Sequence, residues 1–382
     1  MRLLFVVAEH YPSGGAAARW CEDYVARLAA RGHEVEVLVA GDAGAPNGVV
    51  VHRLPVADEA DPAHGGWQRL LRQCIDAGLH PGPDLQAEWL RGAGPQVPGL
   101  VDWLRDHGGV FDAVAVAGSA SHMAWCSLTA LAGWVPTVLH PLAGTDARLR
   151  LRVFATLLRQ PSALAFVDHR ELQVLRPAAG TIRTSAVVGC GLDVVELDEL
   201  AQGTPFPCDD VYAAVDGRPY LLLVGGTAGC ARIVGYFAAY KARHPGPLQL
   251  VVLGYAGDAA TADVSWTAAP DRAARVAAMA SAVATIESRD APVLPVVWAD
   301  RSGLRRPGLV ETADAGDLRP EAGAVGFAEF TGFEAAVELL TTDEASAATL
   351  GDEGGRFVES RCQWDDLLDR YERLLHVIQT RR

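Results

Sequence analysis

Three places along the chain carry residues that could do chemistry. Gly14 and Gly15 fall in "HYPSGGAAAR", between an apolar run and a helical pattern. Paired glycines at a strand-to-helix turn let backbone N–H groups approach a phosphate at the helix N-terminus. A tight turn without a ligand uses the same residues, and the pair is not a GxGxxG fingerprint. His140 closes the apolar run "PTVLH". At a strand's carboxyl end it can face a ligand, and a hydrogen-bonded structural histidine fits the same place. The third place is "DAPVLPVVWADRSG", Asp290 to Gly303: an acidic residue, a Leu-Pro turn, an apolar helix start and a closing glycine. Its Trp298 carries an indole that only donates hydrogen bonds. It can stack on a base or a sugar face, or serve as a packed core aromatic. Cys190 has no evident His or Asp partner to activate it as a nucleophile.

Composition narrows the chemistry. The chain has 382 residues, which suggests two domains. Lys plus Arg is 33 and Asp plus Glu is 47, so the formal charge is 33 − 47 = −14. That balance argues against nucleic acid as a partner, which needs a basic face. The 7 cysteines are scattered, with no CxxC pair and no Cys/His cluster of zinc-ligand spacing. No bound metal is expected, and the thiols fit a reducing cytoplasm. The opening "MRLLFVVAEHY" is too short for a signal-peptide core. No apolar run approaches the ~18 residues of a membrane span. The basic run "RLRLR" (148–152) reads as the solvated face of a helix, since its polar face lacks flanking aromatics.

The elements that must position these residues alternate. "RLLFVVA", "EVEVLVA", "GVVVHRL", "FDAVAVA", "PTVLH", "ALAFVD" and "TSAVVG" read as strands. "AAARWCEDYVARLAARG", "SHMAWCSLTALAG" and "RLRLRVFATLLRQ" read as helices between them. The segment 58–98, rich in Pro, Gly and Trp, reads as an insertion of short helices and loops. The connection "LAQGTPFPCDDVYAAVDGRP" follows, and then the pattern restarts. "YLLLVGG", "LQLVVLG", "AVATIE" and "PGLVETA" are strands, "CARIVGYFAAYKARH" and "PDRAARVAAMASA" are helices, and the tail from "GFEAAVELL" onward is helical. Two runs of alternation imply an α/β protein with two Rossmann-like, doubly wound domains facing across a cleft. The expected domains are 1–195, with a C-terminal helix 363–382 packing back on it, and 215–362. Ligands in such sheets bind beyond the carboxyl ends of the strands.

The stretch "VARLAARGHEVEVLV" (25–39) is the most specific part of a resemblance that runs through "PTVLH", "SALAFVDHRELQVL", "VVGCGLD", "PYLLLVGG", "LQLVVLG" and "GDEGGRFVESRCQWDDLLDRYERLL". Over nearly the whole chain, apart from 58–98, the sequence resembles the GT-B-fold, family-4-type retaining glycosyltransferases. The resemblance implies an acceptor-side first domain and a donor-side second domain. It implies a nucleotide-sugar as co-substrate, no resident cofactor, a sugar-bearing or small-molecule acceptor, and metal-independent transfer of a hexosyl group. It places Gly225, Gly226, Thr227 and Arg232, in "VGGTAGCAR", against the donor diphosphate. In that family an Arg follows the strand's glycine and a Lys comes several residues later. Here Gly226 stands at the Arg position, and Arg232 is the nearby cation that can serve as the Lys or can be a surface arginine.

The family also carries two glutamates within "EGFGLPVLEAMACG". Aligned without gaps, Asp290 falls on the first and Trp298 on the second. The first carboxylate stabilises positive charge at the reacting carbon, and Asp290 keeps that charge on a shorter arm. The second accepts hydrogen bonds from the ribose, which Trp298 cannot do. On the acceptor side, "AVAGSASHMAW" stands where the family has a His-x-His pair. Ser119 and Ser121 occupy that neighbourhood and His122 lies slightly later. The resemblance assigns His122 and His140 to the catalytic centre alongside Asp290. Two function classes follow: a retaining glycosyltransferase with an altered donor pocket, or a catalytically degenerate GT-B protein that binds a protein partner or a glycan. A sugar-nucleotide epimerase of the same fold would need further acidic bases.

Overall fold

The computed structural model describes residues 1–8, 16–41, 49–57, 70, 73–74, 77–119, 121–142, 151–180, 184–203, 215, 217–224, 229–253, 263–267, 272–288, 295–312 and 322–380. The chain divides into two compact units, Met1–Cys190 with Asp365–Arg382, and Gly191–Trp364.

The first unit is built on a parallel sheet in the order β3-β2-β1-β4-β5-β6-β7. Its strands are β1 (Arg2–Val7), β2 (Glu34–Ala40), β3 (Val50–Leu54), β4 (Ala113–Ala117), β5 (Thr137–His140), β6 (Ala163–Phe166) and β7 (Ser185–Val187). Runs such as "LLFVV" and "AVAVA" are apolar on both faces because helices cover both sides of a parallel sheet; every residue of β4 is buried. Registers such as Val6 with Leu38 and with Val116 set the three central strands. The helices are α1 (Ala16–Ala30), α2 (Pro83–Arg91), α3 (Leu100–His107), α4 (His122–Leu131), α5 (Arg152–Leu157) and α6 (His169–Ala179). Of the stretch 148–160 expected to be helical, the described part forms a helix over Arg152–Leu157, and Leu151 before it has extended backbone (φ −72°, ψ 145°).

The second unit repeats the plan in the order β10-β9-β8-β11-β12-β13. Its strands are β8 (Tyr220–Val224), β9 (Gln249–Leu253), β10 (Val264–Thr267), β11 (Ala284–Glu287), β12 (Gly308–Glu311) and β13 (Ala324–Phe327). Its helices are α7 (Val194–Gly203), α8 (Cys230–Arg243), α9 (Arg272–Ser281), α10 (Pro295–Gly303), α11 (Phe330–Thr342) and α12 (Glu344–Arg361). Strands β10 and β13 and helices α6 and α7 go beyond the sequence assignment.

The last helix, α13 (Trp364–Gln379), spans the unit boundary and belongs to the first unit from Asp365. Leu367, Leu368, Tyr371, Leu374, Leu375 and Ile378 recur at three- and four-residue spacing and are all buried. Each such leucine contributes about 1.5–3 kcal/mol by leaving water. On its polar side Arg31 bonds Asp369 at 2.5 Å and Asp365 at 2.8 Å, and His33 lies 3.1 Å from Glu372. A side chain on Gly189 (φ 84°) would come within 2.6 Å of Leu367, so a glycine is required where the helix packs on the end of the first unit.

Candidate functional site

In each sheet the chain leaves one strand in one direction and returns on its other side. The reversal falls between β1 and β4 in the first unit and between β8 and β11 in the second. Open α/β sheets bind ligands beyond the carboxyl ends of the strands at this point.

In the second unit that end holds a buried polar group. Strand β11 ends in Glu287 followed by Ser288, and β12 ends in Glu311 followed by Thr312; all four are buried. Arg232, in the first turn of α8, reaches Glu311 with Nε to Oε1 at 2.6 Å and Nη2 to Oε2 at 2.8 Å. This bidentate geometry is the strongest form of an Arg–carboxylate contact. Ser288 Oγ donates to Glu311 Oε2 at 3.2 Å. The Glu311 side chain is fully buried while that of Arg232 is 29% exposed. A partly exposed arginine side chain is therefore anchored by a buried carboxylate. Gly229, just before α8, has φ 81°, and a Cβ there would stand 2.0 Å from Ser288 Oγ. The turn therefore closes on Ser288 only as glycine.

Behind this group, α10 contributes Arg301, whose fully buried side chain lies 3.3 Å from Glu287 Oε1. Burial pushes the Arg301 guanidinium below its ordinary pKa, while the neighbouring Glu287 pulls it upward. The residue before it, Asp300, pairs with Arg272 at 3.2 Å, and Arg272 also bonds Glu196 at 2.6 Å. Trp298 is half-buried: its indole N–H donates to the Ala322 carbonyl at 3.2 Å, and its ring meets Phe357 edge-on at 5.7 Å. Of its two uses, this geometry is that of the packed aromatic.

In the first unit, His140 ends β5 but is fully buried. Its Nε2 lies 2.8 Å from the Tyr371 hydroxyl, and Trp20 and Phe5 flank the ring at 4.7 and 6.3 Å between centroids. Burial lowers its pKa to about 3, so the imidazole is neutral. Trp20 and Tyr24 extend the same network, donating to the carbonyls of Gly189 and Val188 at 2.9 and 2.6 Å. His140 thus sits in the core as a buried, hydrogen-bonded histidine. His122 opens α4, where Ser121 caps the helix by accepting from the Ala124 amide. The His122 ring is half-buried with Nε2 3.4 Å from Cys126 Sγ. Burial first, and Arg91 second, lower its pKa, while burial raises that of the Cys126 thiol. The two form a neutral pair and not a thiolate–imidazolium couple. Ser119, beside it, is fully buried.

Gly14, Gly15, Gly225, Gly226, Thr227 and Asp290 lie outside the described residues. Among the described residues no group of three or more His, Cys, Asp or Glu side chains assembles as a metal ion would require, and no helix is long and apolar enough to cross a membrane. The structure brings Arg232 together with Ser288 and Glu311, two residues not singled out from sequence. Their signal is a polar residue ending a buried apolar strand, "TIES" and "LVET".

No protein-family model matches this sequence. No curated protein matches it either. Solved structures do. Sucrose-phosphate synthase from Thermosynechococcus elongatus superposes with a TM-score of 0.71 at 14% identity, covering 100% of both chains. An α,α-trehalose-phosphate synthase (UDP-forming) from Burkholderia xenovorans, solved with glucose-6-phosphate, gives 0.71 at 13% identity over 98% of this chain and 100% of its own. HepE from Anabaena, solved with UDP-glucose, gives 0.68 at 13% identity over 100% of both chains. At such identities the likeness establishes the fold. The chain has the two-domain α/β architecture called GT-B, shared with proteins whose structures hold a nucleotide-sugar or a sugar phosphate.

Proposed function

We propose that the protein is a glycosyltransferase that binds a nucleotide-sugar on its second unit and passes the sugar to a sugar-bearing or small-molecule acceptor. The observation that carries this is the Arg232–Glu311–Ser288 group. It is a partly exposed arginine side chain, its guanidinium held by a buried carboxylate, at the carboxyl end of the sheet where such folds bind ligands. A fixed cation there would stabilise the departing diphosphate as negative charge develops. In this proposal Asp290 stabilises the sugar's positive reacting carbon, and the Gly14–Gly15 and Gly225–Thr227 turns offer backbone amides to phosphate. Transfer proceeds with retention and without a metal. As the C1–O bond to the diphosphate breaks, the acceptor oxygen bonds C1 and its proton passes to the departing phosphate.

A second reading has a specific observation in its favour. Two nitrogens of Arg232 are already committed to Glu311, and the Trp298 N–H is committed to Ala322. Donor-side groups satisfied internally suit a protein that keeps the fold and acts as a partner of another glycosyltransferase. Calorimetric titration against UDP, GDP, ADP, CMP and dTDP and their common sugars separates the two. The first reading expects saturable binding of one nucleotide, weakened about tenfold or more by Arg232→Ala as a charge-assisted contact is lost. It also expects loss of turnover in Asp290→Asn. Silence across the panel in folded protein selects the second.

A further inference from the structure

Behind the proposed donor site lies an arginine that the site itself does not use. The Arg301 side chain is fully buried, yet its hydrogen bonds reach three separate segments. Its Nε donates to Glu287 at 3.3 Å, at the end of β11. Its Nη1 donates to the carbonyls of Arg306 at 3.0 Å and Gly323 at 2.8 Å, and its Nη2 to that of Ala322 at 2.8 Å. Arg306 leads into β12, and Ala322 and Gly323 lead into β13. The fit is close: a Cβ on Gly308 would stand 2.8 Å from Arg301 Cζ.

Glu287 and Ser288 are consecutive, and successive residues of an extended strand point to opposite faces. Glu287 is taken by Arg301 on one side. Ser288 is taken by Glu311 and abutted by Gly229 on the other. The end of β11 is therefore gripped from both faces, and the second grip is the group that holds Arg232. Stability alone does not call for such an arrangement, since a well-packed apolar pair of the same volume is often as stable as a buried ion pair. What an apolar pair lacks is the planar fork that fixes several acceptors in one geometry.

We infer that Arg301 is a positioning residue: by fixing Glu287 and the entries to β12 and β13, it holds Ser288, Glu311 and Arg232 in the arrangement that meets a nucleotide diphosphate. The inference rests on the donor-binding reading above, and Arg301 itself touches no donor.

The test compares wild type with the double variant Arg301→Met/Glu287→Leu and with Arg301→Lys. Each is titrated calorimetrically with UDP, GDP, ADP, CMP and dTDP and followed by thermal unfolding. The single change Arg301→Met would strand a buried carboxylate and is unsuitable, whereas the double variant removes both charges. The expected result is a double variant that folds, unfolds at a lower temperature because the carbonyls of Arg306, Ala322 and Gly323 lose their donor, and binds the nucleotide at least tenfold more weakly. Arg301→Lys, which keeps the charge but not the fork, is expected to lose a similar factor. Wild-type affinity in a folded double variant reduces Arg301 to packing and overturns the inference. If the double variant does not fold, wild-type affinity in Arg301→Lys overturns it equally. A wild-type protein silent to the whole panel removes the donor reading and this inference with it, and that failure shows in the unmutated arm.

Discussion

His140 shows how far a residue's type and place can mislead. A histidine at the carboxyl end of a buried parallel strand stands where such folds put ligands, but its ring turns into the layer formed by Phe5, Trp20 and Tyr371. Its Nδ1 has no partner among the described residues. The groups around it are aromatic or neutral, so burial alone drives its pKa from 6.5 to about 3. The sign of the consequence is fixed. Below pH 6.5 the unfolded chain takes up a proton that the folded chain refuses, so stability falls as the pH drops from 6.5 toward 3. The slope from this one residue approaches about 1.4 kcal/mol per pH unit. Urea unfolding of wild type and His140→Asn between about pH 6.5 and pH 4.5 should show the shallower slope in the variant. Equal slopes would mean that the imidazole is not held neutral. Trp298 follows the same logic: its alignment position suggested a ligand face, and its N–H and ring edge are spent on Ala322 and Phe357. Sequence shows what a side chain can do, while its rotamer and neighbours decide what it does.

Among the elements, eleven of the thirteen described strands were legible because burial writes them as apolar runs, whereas β10 and β13, only partly buried, were not. The helices α6 and α7 were not assigned, although each opens with Asp-x-x-Glu. Asp168 caps α6 by accepting from the Glu171 amide at 2.6 Å, and Glu171 reaches back past the cap to accept from the Val167 amide at 2.9 Å, a variant of the capping box shifted by one residue. Asp193 likewise accepts from the Glu196 amide at 3.2 Å. Pro177 inside α6 obscured the helical period there. The start of α8 shows a stronger constraint. Gly229 combines a left-handed backbone with contact against Ser288, so Gly229→Ala should cost at least ~1 kcal/mol from the backbone alone. Displacing Ser288, and with it the Glu311–Arg232 pair, should add to that cost. Ser288→Gly should recover the added part but not the backbone part. In a double-mutant cycle read by urea unfolding, the coupling should then fall in the range of about 0.5–3 kcal/mol. Additive effects would show that Gly229 does not press on Ser288.

At the scale of the whole molecule, the twofold α/β alternation was readable because it recurs over tens of residues. The site was not, because its pairs are distant in sequence: Arg232 meets Glu311 across 79 positions, and His140 meets Tyr371 across 231. The same distance has a physical consequence. The second unit is one continuous stretch, Gly191–Trp364, with its own apolar clusters on the two faces of its sheet. The first unit needs two stretches, because Asp365–Arg382 supplies the face that covers Tyr24 and His140. A fragment 191–364 should therefore unfold cooperatively on its own. A fragment 1–190 should not, since losing α13 bares the aromatic layer and removes the hydroxyl beside His140. Adding a peptide of residues 365–380 should restore a cooperative transition, and weakening Arg31 by Arg31→Ala should raise the peptide concentration required. Calorimetry of the three samples decides the matter. A 1–190 fragment that melts cooperatively without the peptide would show that the returning helix decorates the first unit without completing its core.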